Sequence, residues 1–112
     1  MLTIDALREY GADIETGLGR CMGSEDFYFR LIGMVPASEE FGKLEEAVKA
    51  GDLDGAFEAA HSLKGVTGNL ALTPIYDPVV EITELLRART DMDYTDLLQT
   101  ILDAKDRLAA LL

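Results

Sequence analysis

Apolar residues recur three and four positions apart along almost the whole chain, and no sustained stretch alternates polar with apolar residues. Spacing of this kind predicts amphipathic helices. The chain also lacks an Asn-Gly or Asp-Gly turn between β-branched runs, which would indicate a β-hairpin. The pattern therefore predicts an all-α fold. Its clearest apolar stripes are Phe41, Leu44 and Val48, then Val79, Ile82 and Leu86.

Capping residues and helix-stopping residues divide the chain into helices. The expected N-caps have short polar side chains that accept a hydrogen bond from the first helical turn, namely Thr3, Asp13, Ser24, Asp52 and Asp93. The expected stops are glycine or proline, namely Gly11, Pro36 and Gly51. Thr73-Pro74 and Asp77-Pro78 are competing starts for one helix. Because proline in a helix interior costs about 3 kcal/mol, we expect the start at Asp77-Pro78.

Long helices joined by short connections predict an antiparallel four-helix bundle with short additional N-terminal helices. We expect one domain over residues 1–112, with short helices in 1–23 and the bundle in 24–112, including a central helix over 53–71. In the segment after Ser24, Phe27, Leu31 and Met34 form the expected buried face, widened by Phe29, Ile32 and Val35. In the last helix the expected face is Tyr94, Leu97, Ile101, Leu108 and Leu111.

The composition excludes several classes of function. The 112 residues carry a net charge of −11, with acids in excess in both halves, so the chain has no basic surface for nucleic acid or for an anionic membrane. Its N-terminal residues lack the basic start and long apolar core of a signal peptide, so we expect none, and no apolar run reaches about 18 residues. Cys21 has no disulfide partner and is expected to be a small buried apolar residue. We expect a cytoplasmic protein.

The single histidine, His61, occupies an unusual position. By helical geometry it lies about 120° from the centre of the apolar stripe of its own helix, toward solvent. Gly65 and Gly68 follow at i+4 and i+7 on the same face, although each glycine costs a helix about 0.8–1.0 kcal/mol relative to alanine. Bare backbone beside His61 would give a bulky partner access. Lys64, at i+3, can place an ammonium beside an anion on the imidazole.

These features suit a histidine that accepts and returns a phosphoryl group. A neutral imidazole is a competent nucleophile near neutral pH, and Lys64 can compensate the charge of the phosphate. The chain has no Walker loop and no glycine-rich kinase loop. We therefore expect a phosphate carrier rather than an enzyme, with no cofactor and no bound metal.

The segment Ala60-His61-Ser62-Leu63-Lys64-Gly65, followed by Gly68-Asn69-Leu70, resembles the signature of histidine-containing phosphotransfer (HPt) domains. The resemblance implies a helical bundle whose His61 exchanges phosphate with aspartates of receiver domains in a two-component phosphorelay. It implies charge compensation by Lys64, and access or receiver docking at Gly65, Gly68, Glu58 and Asn69. The implied partners are a response-regulator receiver domain, a hybrid histidine kinase or both, and the chain would act as a monomer.

Other interpretations of the same residues remain open. The bundle could be a non-phosphorylated helical adaptor that binds a protein partner. Gly68 could serve close helix packing instead of access. His61 could bind a metal with Asp54 or Glu58, although a single imidazole makes this a poor transition-metal site. The aromatic run Phe27 to Phe29 belongs to the core, except for any ring that faces outward.

Overall fold

The computed structural model describes all residues, 1–112, and consists of seven helices and no strands. Three of them precede the rest of the fold and are short, namely α1 (Ile4–Tyr10), α2 (Ile14–Arg20) and α3 (Glu25–Met34). The other four are α4 (Glu39–Ala50), α5 (Leu53–Asn69), α6 (Thr73–Arg87) and α7 (Thr95–Ala109). The all-α prediction is confirmed.

Helices α4 to α7 form a closed four-helix bundle. Each packs against the next in the chain, and α7 returns to pack against α4. Because the connections between them are short, neighbouring helices run antiparallel. The predicted bundle is thus confirmed, with one continuous apolar core. Its fully buried side chains include Leu44, Leu63, Ile75, Ile82, Ile101 and Leu108.

The N-terminal helices lie outside this ring and are tied to it by hydrogen bonds. The Tyr10 hydroxyl donates to the Ala104 carbonyl at 2.7 Å, and the Tyr28 hydroxyl donates to the Leu70 carbonyl at 2.8 Å. The Asp13 amide donates to the Ala71 carbonyl at 3.0 Å. The sequence placed the bundle at 24–112, whereas α3 lies with α1 and α2 beside the ring. The three helices therefore cover one end of the bundle.

The helix ends follow local sequence closely. Four predicted N-caps accept a hydrogen bond from the first turn, namely Thr3, Asp13, Ser24 and Asp52. Gly11 and Gly51 close their helices in the left-handed conformation, at φ 113° and 70°. Asp93 accepts from the Thr95 amide at 2.9 Å, one residue before the N-cap position. Pro36 follows the end of α3 at Met34 as predicted, and α4 begins after Ser38.

The predicted start of α6 at Asp77-Pro78 is wrong, because the helix begins at Thr73 and contains Pro78. The Leu72 carbonyl accepts the amides of Ile75 and Tyr76, so a first turn exists before Pro78. Leu72 and Ile75 are both fully buried, and burying two such side chains contributes about 3–6 kcal/mol. That gain is enough to offset the cost of about 3 kcal/mol for one internal proline.

The predicted buried face of α3 is rotated in the structure, whereas in the last helix the predicted Tyr94, Ile101 and Leu108 are buried. In α3 the buried residues are Tyr28 and Ile32, followed by Val35, whereas Phe27 is 41% exposed and Met34 is 65% exposed. The hydrogen bond from the Tyr28 hydroxyl to α5 fixes this rotation. In α7, Leu98 is buried while Leu97 and Leu111 are half-buried. The side chains left outside α3 create an apolar surface beside α5.

Candidate functional site

His61 lies in the middle of α5 with its side chain exposed to solvent, as its position on the helical wheel predicted. Asp52 starts the helix by accepting the Gly55 amide at 3.0 Å. The opposite face carries mostly small buried residues, namely Ala56, Ala59, Ala60, Leu63 and Thr67. These allow α4 and α6 to pack closely on both flanks. A rigid, well-packed helix therefore presents the imidazole to solvent.

The imidazole stacks on an aromatic ring of its own helix. The centroids of the His61 and Phe57 rings are 5.7 Å apart, with 15° between their planes. The guanidinium carbon of Arg87 lies 5.0 Å from the centroid of the Phe57 ring. Phe57 has the sequence spacing of the apolar stripe of α5, with Leu53 and Leu63, and it is half-buried. It thus restricts the orientation of the imidazole, a role that the spacing of apolar residues did not indicate.

Lys64 is held by an acidic residue of the next helix. Its Nζ lies 3.7 Å from Oε1 of Glu84, and Oε2 of Glu84 lies 3.4 Å from Nε of Arg87. Lys64 is therefore on the α6 side of His61, one turn along the helix. Neither Glu84 nor Arg87 emerged from the sequence, because both come from a different helix.

The two glycines differ in their surroundings. A Cβ at Gly65 would meet no atom within 4 Å, so the backbone there is open to solvent. A Cβ at Gly68 would lie 2.7 Å from Cε1 of Tyr76, closer than real Cβ contacts. Of the alternatives for Gly68, the geometry favours close packing with α6, whereas Gly65 leaves space beside His61.

His61 lies between two surface clefts. One, of about 580 Å³, also contains Lys64, Gly65, Gly68 and Asn69, together with Arg20 of α2 and Tyr76 of α6. Arg20 donates a hydrogen bond to the Gly68 carbonyl and so brings a second cation to this cleft. No sequence pattern pointed to Arg20, because α2 is brought to α5 by tertiary packing alone.

The second cleft is more apolar and lies between α3 and α5. It has a volume of about 750 Å³ and is lined by His61, Gly65 and Asn69 together with Leu31, Met34 and Val66. Met34 is 65% exposed and Val66 is 48% exposed. Exposed apolar side chains in contiguous patches are typical of interaction surfaces. The outward rotation of α3 therefore places an apolar surface next to the histidine.

Glu58 is separate from both of these clefts. It is exposed and lines a third depression between α4 and α5, which also contains Lys43 and Ser62. Asp54, the other acid considered as a metal ligand, forms an ion pair with Arg89. No group of three or more His, Cys, Asp or Glu side chains is arranged to hold a metal ion.

The fold and the site define a helical-bundle domain with one exposed histidine at the centre of a packed helix. The family model described as "Hpt domain" matches residues 36–111, which is more than half of the chain. The chain therefore belongs to the Hpt-domain family, and the predicted resemblance is confirmed. Domains of this family are phosphocarriers in phosphorelays. The match includes α4 to α7 and excludes α1 to α3.

No curated protein and no solved structure is significantly similar to this chain. The family assignment therefore rests on the match to residues 36–111. None of the seven helices combines the length and apolar character needed to cross a membrane.

Proposed function

We propose that this chain is a phosphocarrier in which His61 accepts a phosphoryl group from an aspartyl phosphate of a receiver domain and returns it to another. The observation that carries the proposal is the position of His61, exposed at the centre of α5, inside the segment that matches the family. Gly65 leaves the next turn bare. A partner's active site can therefore approach the imidazole without meeting a side chain at that position.

The chemical step is a transfer of one phosphoryl group between two side chains. The unprotonated ring nitrogen of His61 attacks phosphorus in line with the leaving carboxylate. An N–P bond forms, the P–O bond to the aspartate breaks, and its electron pair stays on the carboxylate. The proton on the other ring nitrogen can then leave to water. The receiver supplies Mg²⁺ and the catalytic carboxylates, so this chain contributes the acceptor and its surroundings.

Lys64 is the residue proposed to compensate the charge of the phosphorylated imidazole. It lies one turn after His61, where residues at i and i+3 are neighbours on a helix surface. Its side chain is 31% exposed, so Lys64 is partly shielded from bulk water. Attraction between opposite charges is stronger in such a setting than between two fully hydrated groups.

The apolar surface of Leu31, Met34 and Val66 is the proposed contact for the receiver domain or the hybrid histidine kinase. It borders His61 directly, so a partner seated there would hold its aspartate close to the imidazole. Gly65 and Asn69 line this surface as well. Glu58, which faces α4, would contact a partner at the periphery. We propose that the chain acts as a cytoplasmic monomer, which sedimentation and cell fractionation can test.

The proposal is tested by incubating the protein with a panel of receiver domains phosphorylated on aspartate. The expected result is a label on this chain that is labile in acid and stable in base, as a phosphoramidate is. His61→Gln removes the acceptor and should abolish the label. The matched control is Thr100→Ala, which alters an exposed residue of α7 outside all three clefts beside α5 and should leave labelling intact.

An unlabelled wild-type chain that still binds receivers would contradict the proposal. Binding without phosphate transfer is the behaviour expected of an adaptor that uses the apolar surface alone. Met34→Glu separates the two properties, because it places a charge in the apolar cleft at an exposed residue that is not part of the core. If the surface is the docking site, this variant loses transfer from receivers while His61 remains intact.

A further inference from the structure

Two charged residues of α6, Glu84 and Arg87, connect Lys64 to Phe57, the ring that stacks on His61. Glu84 contacts Lys64 at 3.7 Å through one carboxylate oxygen and Arg87 at 3.4 Å through the other. Arg87 also lies over the Phe57 ring, and that ring stacks on the imidazole. A continuous series of contacts therefore runs from the ammonium of Lys64 through α6 and back to His61.

We propose that Glu84 is a positioning residue of the phosphoryl-transfer site, which holds the Lys64 ammonium on α6 until a phosphoryl group on His61 attracts it. This inference rests on the proposed function and adds that Glu84 governs the position of Lys64, the residue proposed to compensate the charge of the phosphate. Lys64 has one anionic partner before transfer, and a phosphoryl group would offer a second one with greater charge. The Glu84 carboxylate and the phosphoryl group therefore compete for the Lys64 ammonium.

Arg87 makes this exchange feasible. When Lys64 leaves, the Glu84 carboxylate keeps its contact with the Arg87 guanidinium, so it is not left without a cation. Arg87 can keep its position over Phe57 at the same time. The exchange therefore requires a new side-chain conformation for Lys64 alone, and it does not disturb the ring that supports the imidazole.

The inference predicts that Glu84→Gln accelerates phosphorylation of His61. The amide is uncharged, so the Lys64 ammonium is no longer held on α6 and can reach the phosphate without competition. Ion pairs as exposed as this one contribute little, and the expected acceleration is about two- to fivefold. Since the competition is electrostatic, the acceleration should decrease as ionic strength rises.

The experiment uses phosphoramidate as a small phosphoryl donor, which removes receiver docking from the measurement. The P–N bond of the donor breaks, ammonia leaves with the electron pair, and the N–P bond to His61 forms. The rate of phosphohistidine formation is followed by ³¹P NMR in the wild type and in Glu84→Gln. Glu81→Gln is the matched control, because it makes the same charge change on the exposed surface of α6 at a residue without an ion pair.

The same pair of rates is measured in a Lys64→Met background. If Glu84 acts through Lys64, Glu84→Gln does not change the rate of phosphorylation in this background. If Glu84→Gln acts through net charge or helix stability, the acceleration persists. Equal or slower phosphorylation of Glu84→Gln, or an acceleration that Glu81→Gln or the Lys64→Met background reproduces, would overturn the inference. A wild type that phosphoramidate and phosphorylated receivers both leave unlabelled would instead overturn the proposed function itself, and this inference with it.

Discussion

Alanine substitutions at the two glycines of α5 should change stability in opposite directions. At Gly65 a Cβ would meet nothing within 4 Å, so Gly65→Ala gains helix propensity without a steric cost. The gain is about 0.8–1.0 kcal/mol. We expect the free energy of unfolding to rise by about 1 kcal/mol, which corresponds to roughly 4 °C in Tm for a domain of this size.

At Gly68 the same substitution introduces a collision. The new Cβ would lie 2.7 Å from Cε1 and 3.1 Å from Cδ1 of Tyr76, so the ring has to move. Overpacking of this kind costs about 1–3 kcal/mol. Gly68 is the penultimate residue of α5, where the gain in propensity is smaller than in the interior. We expect Gly68→Ala to be less stable than the wild type by about 1–2 kcal/mol.

Urea unfolding followed by far-UV circular dichroism measures both effects. Combining Gly68→Ala with Tyr76→Ala removes the colliding ring, so the alanine at 68 should then cost little relative to Tyr76→Ala alone. A Gly68→Ala variant at least as stable as the wild type would refute the packing interpretation. A destabilised Gly65→Ala variant would refute the argument that the backbone there is free of neighbours.

The open position at Gly65 also has a consequence for transfer. Gly65→Gln should leave the helical circular dichroism nearly unchanged, because its side chain extends into solvent. The same side chain would obstruct the approach of a receiver to His61, and a displacement of about 1 Å can cost roughly 100-fold in rate. Slow transfer in a stable variant is the expected result. Loss of fold together with loss of transfer would instead make Gly65 a packing residue.

Three further outcomes test the fold. Tyr28→Phe removes the buried hydrogen bond to the Leu70 carbonyl and should lower the free energy of unfolding in urea by about 1–3 kcal/mol. Asp52→Ala removes the N-cap of α5 and should cost about 1 kcal/mol in the same assay. Burial raises the pKa of Tyr10 and of Tyr28 to about 12, whereas an unfolded tyrosine ionises near a pKa of about 10. The protonated hydroxyls of these two tyrosines therefore favour the folded state, and their contribution to the free energy of unfolding is complete below about pH 10. It is lost as the pH rises from about 10 to about 12, which urea midpoints measured against pH should show.

The sequence was most informative where structure is decided locally. Caps such as Ser24 and Asp52, and stops such as Gly11, act on the adjacent turn, so they can be recognised without knowledge of the fold. The rotation of α3 was not local. Two sets of its residues have helical spacing, and the bond from Tyr28 to a carbonyl 42 residues away selects between them.

The same distinction applies to the site. His61, Lys64 and Gly65 lie on one helix, so their spacing alone placed them together. Arg20, Glu84 and Arg87 come from other helices, and no pattern within α5 refers to them. Their contribution depends on how the helices pack.

Because of the position of α3, the scaffold of the histidine and one wall of the apolar cleft belong to different helices. The helix that carries the histidine belongs to the ring of four, whereas one wall of the apolar cleft belongs to a helix outside that ring. If receivers dock on this cleft as proposed, substitutions on the outer surface of α3 would alter the preference for one receiver over another without changing the scaffold of the imidazole. Such a division would let related carriers diverge in partner choice while retaining a common chemistry.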